Sequence, residues 1–159
     1  MPDTLLYFVE TRANEKRQLL CHIIEHFYKK GKNIQAVAGH PKTSEDLDNL
    51  LWTFSQMSFI PHRILGPDDS NSVKEPAVVI TGDEKPLENY EILVYDGMMN
   101  LEFIKDYSWV IHFIIMNDPG KRKESRNLYK AARDQGFQLQ HIPYSPLREI
   151  TTLLEKLDR

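Results

Sequence analysis

Six cationic side chains crowd one short segment of a chain that is acidic as a whole. Within residues 121–134, Lys121, Arg122, Lys123, Arg126, Lys130 and Arg133 stand against Glu124 and Asp134, whereas all 159 residues together carry a formal net charge of −3. A patch of this kind gathers anionic partners at its surface. Arg122, Arg126 and Lys130 are spaced by four, so a helix places them along one side, and Tyr129 and Arg133 fall on the neighbouring stripe. A guanidinium can grip a carboxylate through two parallel hydrogen bonds. Tyr129, together with Ile114 or Ile115 from the preceding apolar run, supplies lining for a hydrophobic side chain. The segment therefore suits an acidic peptide at least as well as a nucleic acid. The competing reading is a solvated helix face with excess Lys and Arg.

A second candidate surface runs from Leu47 to His62. Trp52, Met57 and Phe59 are large apolar groups in a stretch that also holds Ser55, Gln56 and Ser58. Aromatic and methionine side chains near a helix end make interface hot spots. They also make ordinary core.

Catalytic chemistry finds little footing. His22 and His26 have the spacing of a metal pair on a helix, but no His-Glu-x-x-His pattern accompanies them, and a surface pair is the plainer expectation. His112 sits in an apolar run, as a core or edge histidine does. Cys21, the single cysteine, adjoins Leu20 within an amphipathic pattern and reads as a small buried hydrophobe. Asp96-Gly97 ends a strand, where α/β enzymes place acids, but an ordinary turn is the plainer expectation. No serine occupies a Gly-x-Ser-x-Gly elbow. The first apolar run is followed by Glu10-Thr11-Arg12-Ala13-Asn14, without the glycines that bring a backbone close to a pyrophosphate. No catalytic group, metal site or cofactor is expected.

The elements that must position these residues follow from periodicity. Leu5–Val9 reads as a strand. Leu19, Leu20, Ile23, Ile24 and Phe27 share one face of a helix over 16–30 that Gly31 stops. A second strand spans 33–38. Thr43 and Asp46 have capping-box spacing ahead of a helix to about Ser55. A short or edge strand carrying Pro61 covers 58–64, and 66–75 is a polar loop. Further strands are read at 77–81, 91–95, 109–116 and 137–142, with a short helix at 101–106. Residues 117–120 read as a turn before the basic helix at 121–135, which Gly136 ends. A last helix spans 146–157. Strands alternating with helices argue for an α/β chain, a three-layer Rossmann-like sandwich with a mostly parallel sheet and no phosphate-binding loop. One domain over residues 1–159 is the expectation for this length.

Bulk properties narrow the partners. The pI near 6.1 lies far below the range above about 9 that marks dedicated nucleic-acid binders. Asp3 and Glu10 flank too short an apolar run for a signal peptide, and no run of about 18 apolar residues suits a membrane span. The cytoplasm is the expected compartment.

The two candidate surfaces are also where the chain resembles the chi subunit family of bacterial DNA polymerase III holoenzyme. The matching pieces are Gly31-Lys32, Leu47-Asp48 with Leu51-Trp52, the run Ser58-Phe59-Ile60-Pro61-His62, and Tyr129-Lys130-Ala131 with Gly136-Phe137. Their order and spacing fit along residues 3–140, leaving a helical extension at 145–157. The resemblance implies a Rossmann-like fold without nucleotide chemistry, and an accessory, non-enzymatic protein of the clamp-loader assembly. It implies binding of the acidic C-terminal tail of single-stranded DNA-binding protein, which ends in Pro-Phe. In that family the tail meets basic residues of the last helix before the final strand. Arg126 matches the principal arginine, Arg122 stands where the family has a lysine, and Tyr129 and Lys130 match the adjoining pair. Lys123 widens the positive field, and Ile114 or Ile115 adds the apolar contact. The second surface implies a psi subunit or a helicase as partner, with Trp52 and Phe59 matching its central aromatics and Met57 beside them. Asn127 and Leu128 depart from the more polar pattern, and the loop at 66–75 is more acidic than the family's. The rival readings are a nucleotide-dependent α/β enzyme and a direct single-stranded DNA-binding module.

Overall fold

Near-continuous apolar runs become the strands of one sheet. A computed structural model of the protein describes residues 3–55 and 57–158. The strands are β1 (Leu5–Thr11), β2 (Ile34–Val37), β3 (His62–Leu65), β4 (Val78–Thr81), β5 (Ile92–Tyr95), β6 (Trp109–Ile115) and β7 (Gln138–Ile142). They lie in the order β3-β4-β2-β5-β6-β1-β7. Every pairing in this sheet is parallel. Strands β2, β4 and β5 are buried along their whole length, which explains why they read as unbroken apolar runs and not as alternating ones.

The pleat sends successive side chains to opposite faces. On one face Tyr7, Val9, Ile34, Ala36, Ile111, Phe113 and Ile115 meet the apolar stripes of α1 (Lys16–Lys29), α2 (Pro41–Thr53) and the C-terminal α4 (Ile150–Lys156). On the other, Leu6, Phe8, Leu93, Tyr95 and Val110 meet Leu128, Tyr129 and Ala132 of α3 (Pro119–Asp134). Ile104 and Tyr107, around the 3-10 turn Phe103–Asp106, complete that second cluster. Helices therefore cover both sides of a parallel sheet.

Several boundaries differ from expectation. Helix α2 is not capped by a Thr43–Asp46 box. His40 is its N-cap, with Nδ1 accepting from the backbone N–H of Lys42, and Pro41 opens the first turn, where its missing N–H costs nothing. The turn expected over 117–120 is confined to Met116 and Asn117. Asp118 caps α3 by accepting from the Lys121 N–H at 3.1 Å, and Pro119 and Gly120 lie within the helix. The strand expected over 58–64 is confined to His62–Leu65, beyond Pro61, at one margin of the sheet. The last helix begins as a 3-10 turn at Leu147–Glu149. Gly31 and Gly136 follow α1 and α3 with φ of 77° and 85°, the left-handed conformation that makes glycine the natural stop.

The segment after β7 belongs to the core. Leu153 and Leu157 are buried against α1 and β1, and the Tyr7 hydroxyl donates to the Leu157 carbonyl at 3.2 Å. Asp158 then pairs with His26 at 2.6 Å and Lys30 at 2.9 Å.

Candidate functional site

The basic residues are held on α3, and α3 is tied to the sheet by a buried hydrogen bond between Ser125 Oγ and His112 Nε2 of β6 at 2.8 Å. Burial pushes the His112 imidazole down to about 4, helped by the Lys16 charge. His112 is thus a neutral core residue on an interior strand, and its Nδ1 has no hydrogen-bond partner among the described residues. Tyr129 packs edge-on against Phe8, with ring centroids 4.9 Å apart, which fixes the aromatic next to the cations.

Between this helix and the C-terminal ends of the strands lies an open groove of about 320 Å³, lined by Glu10, Ile114, Met116, Arg122, Ser125, Arg126, Tyr129 and His141. An enclosed apolar cavity of about 150 Å³ already admits benzene, so one aromatic ring has room here. Arg122 and Arg126 are exposed at the mouth. Among the described residues no carboxylate lies within ion-pairing distance of either.

The pleat sends the two isoleucines to opposite faces. Ile114 is on the same face as His112 and lines the groove. Ile115 points to the opposite face, buried among Phe113 and Ile111. Lys123 and Lys130 are exposed on α3 but are not part of the lining. Arg133 contacts Asp134 at 3.6 Å.

Two groove residues escaped the sequence reading. Glu10 and His141 are 131 positions apart, and their side chains meet at 2.6 Å because β1 pairs with β7 in parallel register. No local motif announces a contact of that kind.

The second surface is exposed. Trp52 is 49% accessible, Phe59 70% and Met57 95%. Trp52 contacts Phe59 with centroids 5.7 Å apart and rests on His62 at 4.3 Å. His62, wholly buried as a side chain, hydrogen-bonds the Ile60 and Asp48 carbonyl oxygens at 2.7 and 3.1 Å. The aromatics thus sit on a braced platform and are not core.

The other chemistry-bearing residues are engaged locally. His22 packs edge-on to Phe54 while His26 pairs with Asp158, so the two are half-buried and separately occupied, not a free surface pair. Burial pushes the Cys21 thiol up to about 12, a protonated and inert state. Asp96 stands in the bend just after β5 but is not a free surface residue. It is buried at the end of β5 and pairs with Lys16 at 3.0 Å and Arg17 at 3.4 Å. Among the described residues no group of three or more His, Cys, Asp or Glu could hold a metal ion, and no helix is long and apolar enough to cross a membrane.

Fold and surfaces together define an α/β protein with a parallel sheet covered by helices, a cationic groove at one end of the sheet and an exposed aromatic surface. Residues 1–140 match the family described as DNA polymerase III chi subunit, HolC, and the chain belongs to that family. It is 24% identical over 123 residues to the DNA polymerase III subunit chi of Pseudomonas aeruginosa, covering 77% of this chain and 82% of that one. Identity to the Escherichia coli subunit chi is 26% over 122 residues, covering 77% and 81%. The crystal structure of T4 UvsW superposes with a TM-score of 0.62 at 9% identity over 91% of this chain, which spans 42% of that structure. That likeness is one of fold alone. Family membership gives the protein a non-catalytic, accessory role at the replication machinery.

Proposed function

We propose that the protein binds the acidic C-terminal tail of single-stranded DNA-binding protein in the groove along α3, and so links coated single strands to the DNA polymerase III holoenzyme through the clamp loader. The observation that carries this reading is the placement of Arg122 and Arg126, unpaired, at the mouth of a groove walled by Tyr129 and Ile114. In this reading Arg126 takes the terminal carboxylate, Arg122 a neighbouring aspartate, and the terminal Phe enters between Tyr129 and Ile114. Lys123 and Lys130 strengthen the attraction from outside. Burying a Phe side chain is worth about 1.5–3 kcal/mol, and a desolvated charge pair whose partner is removed costs about 2 kcal/mol or more. Neither contribution is small against the other, so acidic and aromatic parts of the ligand are both required.

The exposed Trp52, Met57 and Phe59 surface is assigned on the same basis to a psi subunit or a helicase. The whole chain, residues 1–159, is taken as one unit of three-layer, Rossmann-like architecture working in the cytoplasm, with no cofactor and no specific nucleic-acid contact of its own.

The test is titration of a short acidic peptide ending in Phe. Arg126→Ala should weaken binding by about 2 kcal/mol or more, with the variant's melting curve unchanged. Binding should also weaken as salt rises, since screening acts on exposed charges beyond about 10 Å at 0.1 M. Unchanged affinity in the folded variant would remove Arg126 from the site.

A further inference from the structure

The groove has a cationic wall and an ionisable wall. Opposite α3, His141 of β7 lines it with its side chain 44% exposed, while its partner Glu10 is 18% exposed. Glu10 is fixed at both oxygens. Oε2 meets His141 Nε2 at 2.6 Å and Oε1 accepts from the Tyr144 backbone N–H at 3.0 Å. An ionised carboxylate only accepts hydrogen bonds, so it holds Nε2 as the N–H donor of the ring. Nδ1 engages no other described residue.

We infer that His141 is a further ligand-contacting residue of this groove, ionised when a peptide carboxylate enters, with Glu10 as the residue that positions its ring. The inference rests on the acidic-tail reading and deepens it. The charged and titratable groups around the ring are Glu10 on β1, Arg122, Arg126 and Tyr129 on α3, and Tyr144 after β7, whose ring carries the Arg12 guanidinium at 4.8 Å and whose hydroxyl contacts Glu15. A bound carboxylate neutralises the arginines and leaves a second acceptor in the groove. Both changes draw a proton onto Nδ1, which then donates to the ligand. A proton taken from solution with each ligand makes affinity rise as pH falls.

The measurement is calorimetric titration of the full chain with an N-acetylated acidic peptide ending in Phe, in two buffers of different ionisation enthalpy. Acetylation removes the one peptide group that would otherwise titrate near neutrality, since its carboxyls change charge only around pH 4. His112 cannot mimic the effect, because burial holds it at about 4. Wild-type protein should take up a fraction of a proton per peptide and bind more tightly at about pH 6 than at about pH 8, by up to about tenfold for each unit the imidazole rises on binding. His141→Gln should still bind, with the proton uptake gone and the profile flat. Glu10→Gln, which keeps the groove's shape, should shift the profile to lower pH. Tight binding with no proton uptake and no pH dependence would overturn the role of His141 while leaving the tail reading intact. Failure of the peptide to bind the wild-type protein at any pH would overturn both.

Discussion

At the scale of single residues, the groove rests on a histidine buried beneath its lining. His112 fastens β6 to Ser125, and Ser125 lies on the groove lining one turn after Arg122 and next to Arg126. Its ring is neutral when folded and titrates near 6.5 when unfolded, so the unfolded chain binds the proton more readily between those values. The sign follows. His112 leaves stability intact above about pH 6.5 and subtracts from it as pH falls toward about 4, where burial has placed it. The full loss is on the order of 3 kcal/mol for a shift of this size. Denaturant unfolding at about pH 7 and about pH 4.5 should therefore show a marked drop in wild-type stability. His112→Gln should be less stable at neutral pH and show a shallower acid slope. Parallel slopes in the two proteins would mean that other groups set the acid limb.

Among the elements, α3 and α4 carry the consequences. Asp118 is the cap of α3, and Asp118→Ala should cost about 1 kcal/mol in denaturant unfolding. Removing the cap also loosens the turn before Arg122, so peptide binding should weaken together with stability. Leu153→Ala in α4 should cost about 2–5 kcal/mol, as for a buried Leu, because α4 completes the layer that covers β1. An α4 that was dispensable would show a cost below about 1 kcal/mol, as exposed positions do. Much at this scale was legible beforehand. The α1 and α3 stripes, their glycine stops and the buried strands follow directly from periodicity and from which residues tolerate φ above zero. The N-terminus of α2 is hard to read from sequence because His40 imitates an Asx cap with a ring nitrogen, while Thr43 and Asp46 carry the more familiar capping spacing. The choice between Ile114 and Ile115 needed the register of β6, which a run of seven residues apolar on both faces does not reveal. Glu10 and His141 were invisible for a different reason: the ladder that joins β1 to β7 is non-local, and either residue alone looks like any surface polar group.

For the molecule as a whole, the two surfaces should behave independently. Trp52→Ala and Phe59→Ala remove exposed side chains, so each should leave the melting temperature within about 2 °C, since surface changes stay within about 0.5 kcal/mol. Peptide affinity at the α3 groove should be unchanged, and capture of a partner on the second surface should be lost. Cooperative unfolding that collapsed in either variant would make the aromatics structural after all. The reason for independence is the strand order. The aromatic platform sits beside β3 at one margin of the sheet, and the groove opens by β1 and β7 at the other. With strands about 4.8 Å apart, the two lie on the order of 25 Å from each other across an uninterrupted hydrogen-bonded slab. A slab of that width works as a strut. It can carry cargo at both ends without either load touching the other, so a three-component assembly should form with the simple product of its two affinities, and any gain beyond that product would come from the partners themselves and not from the beam between them.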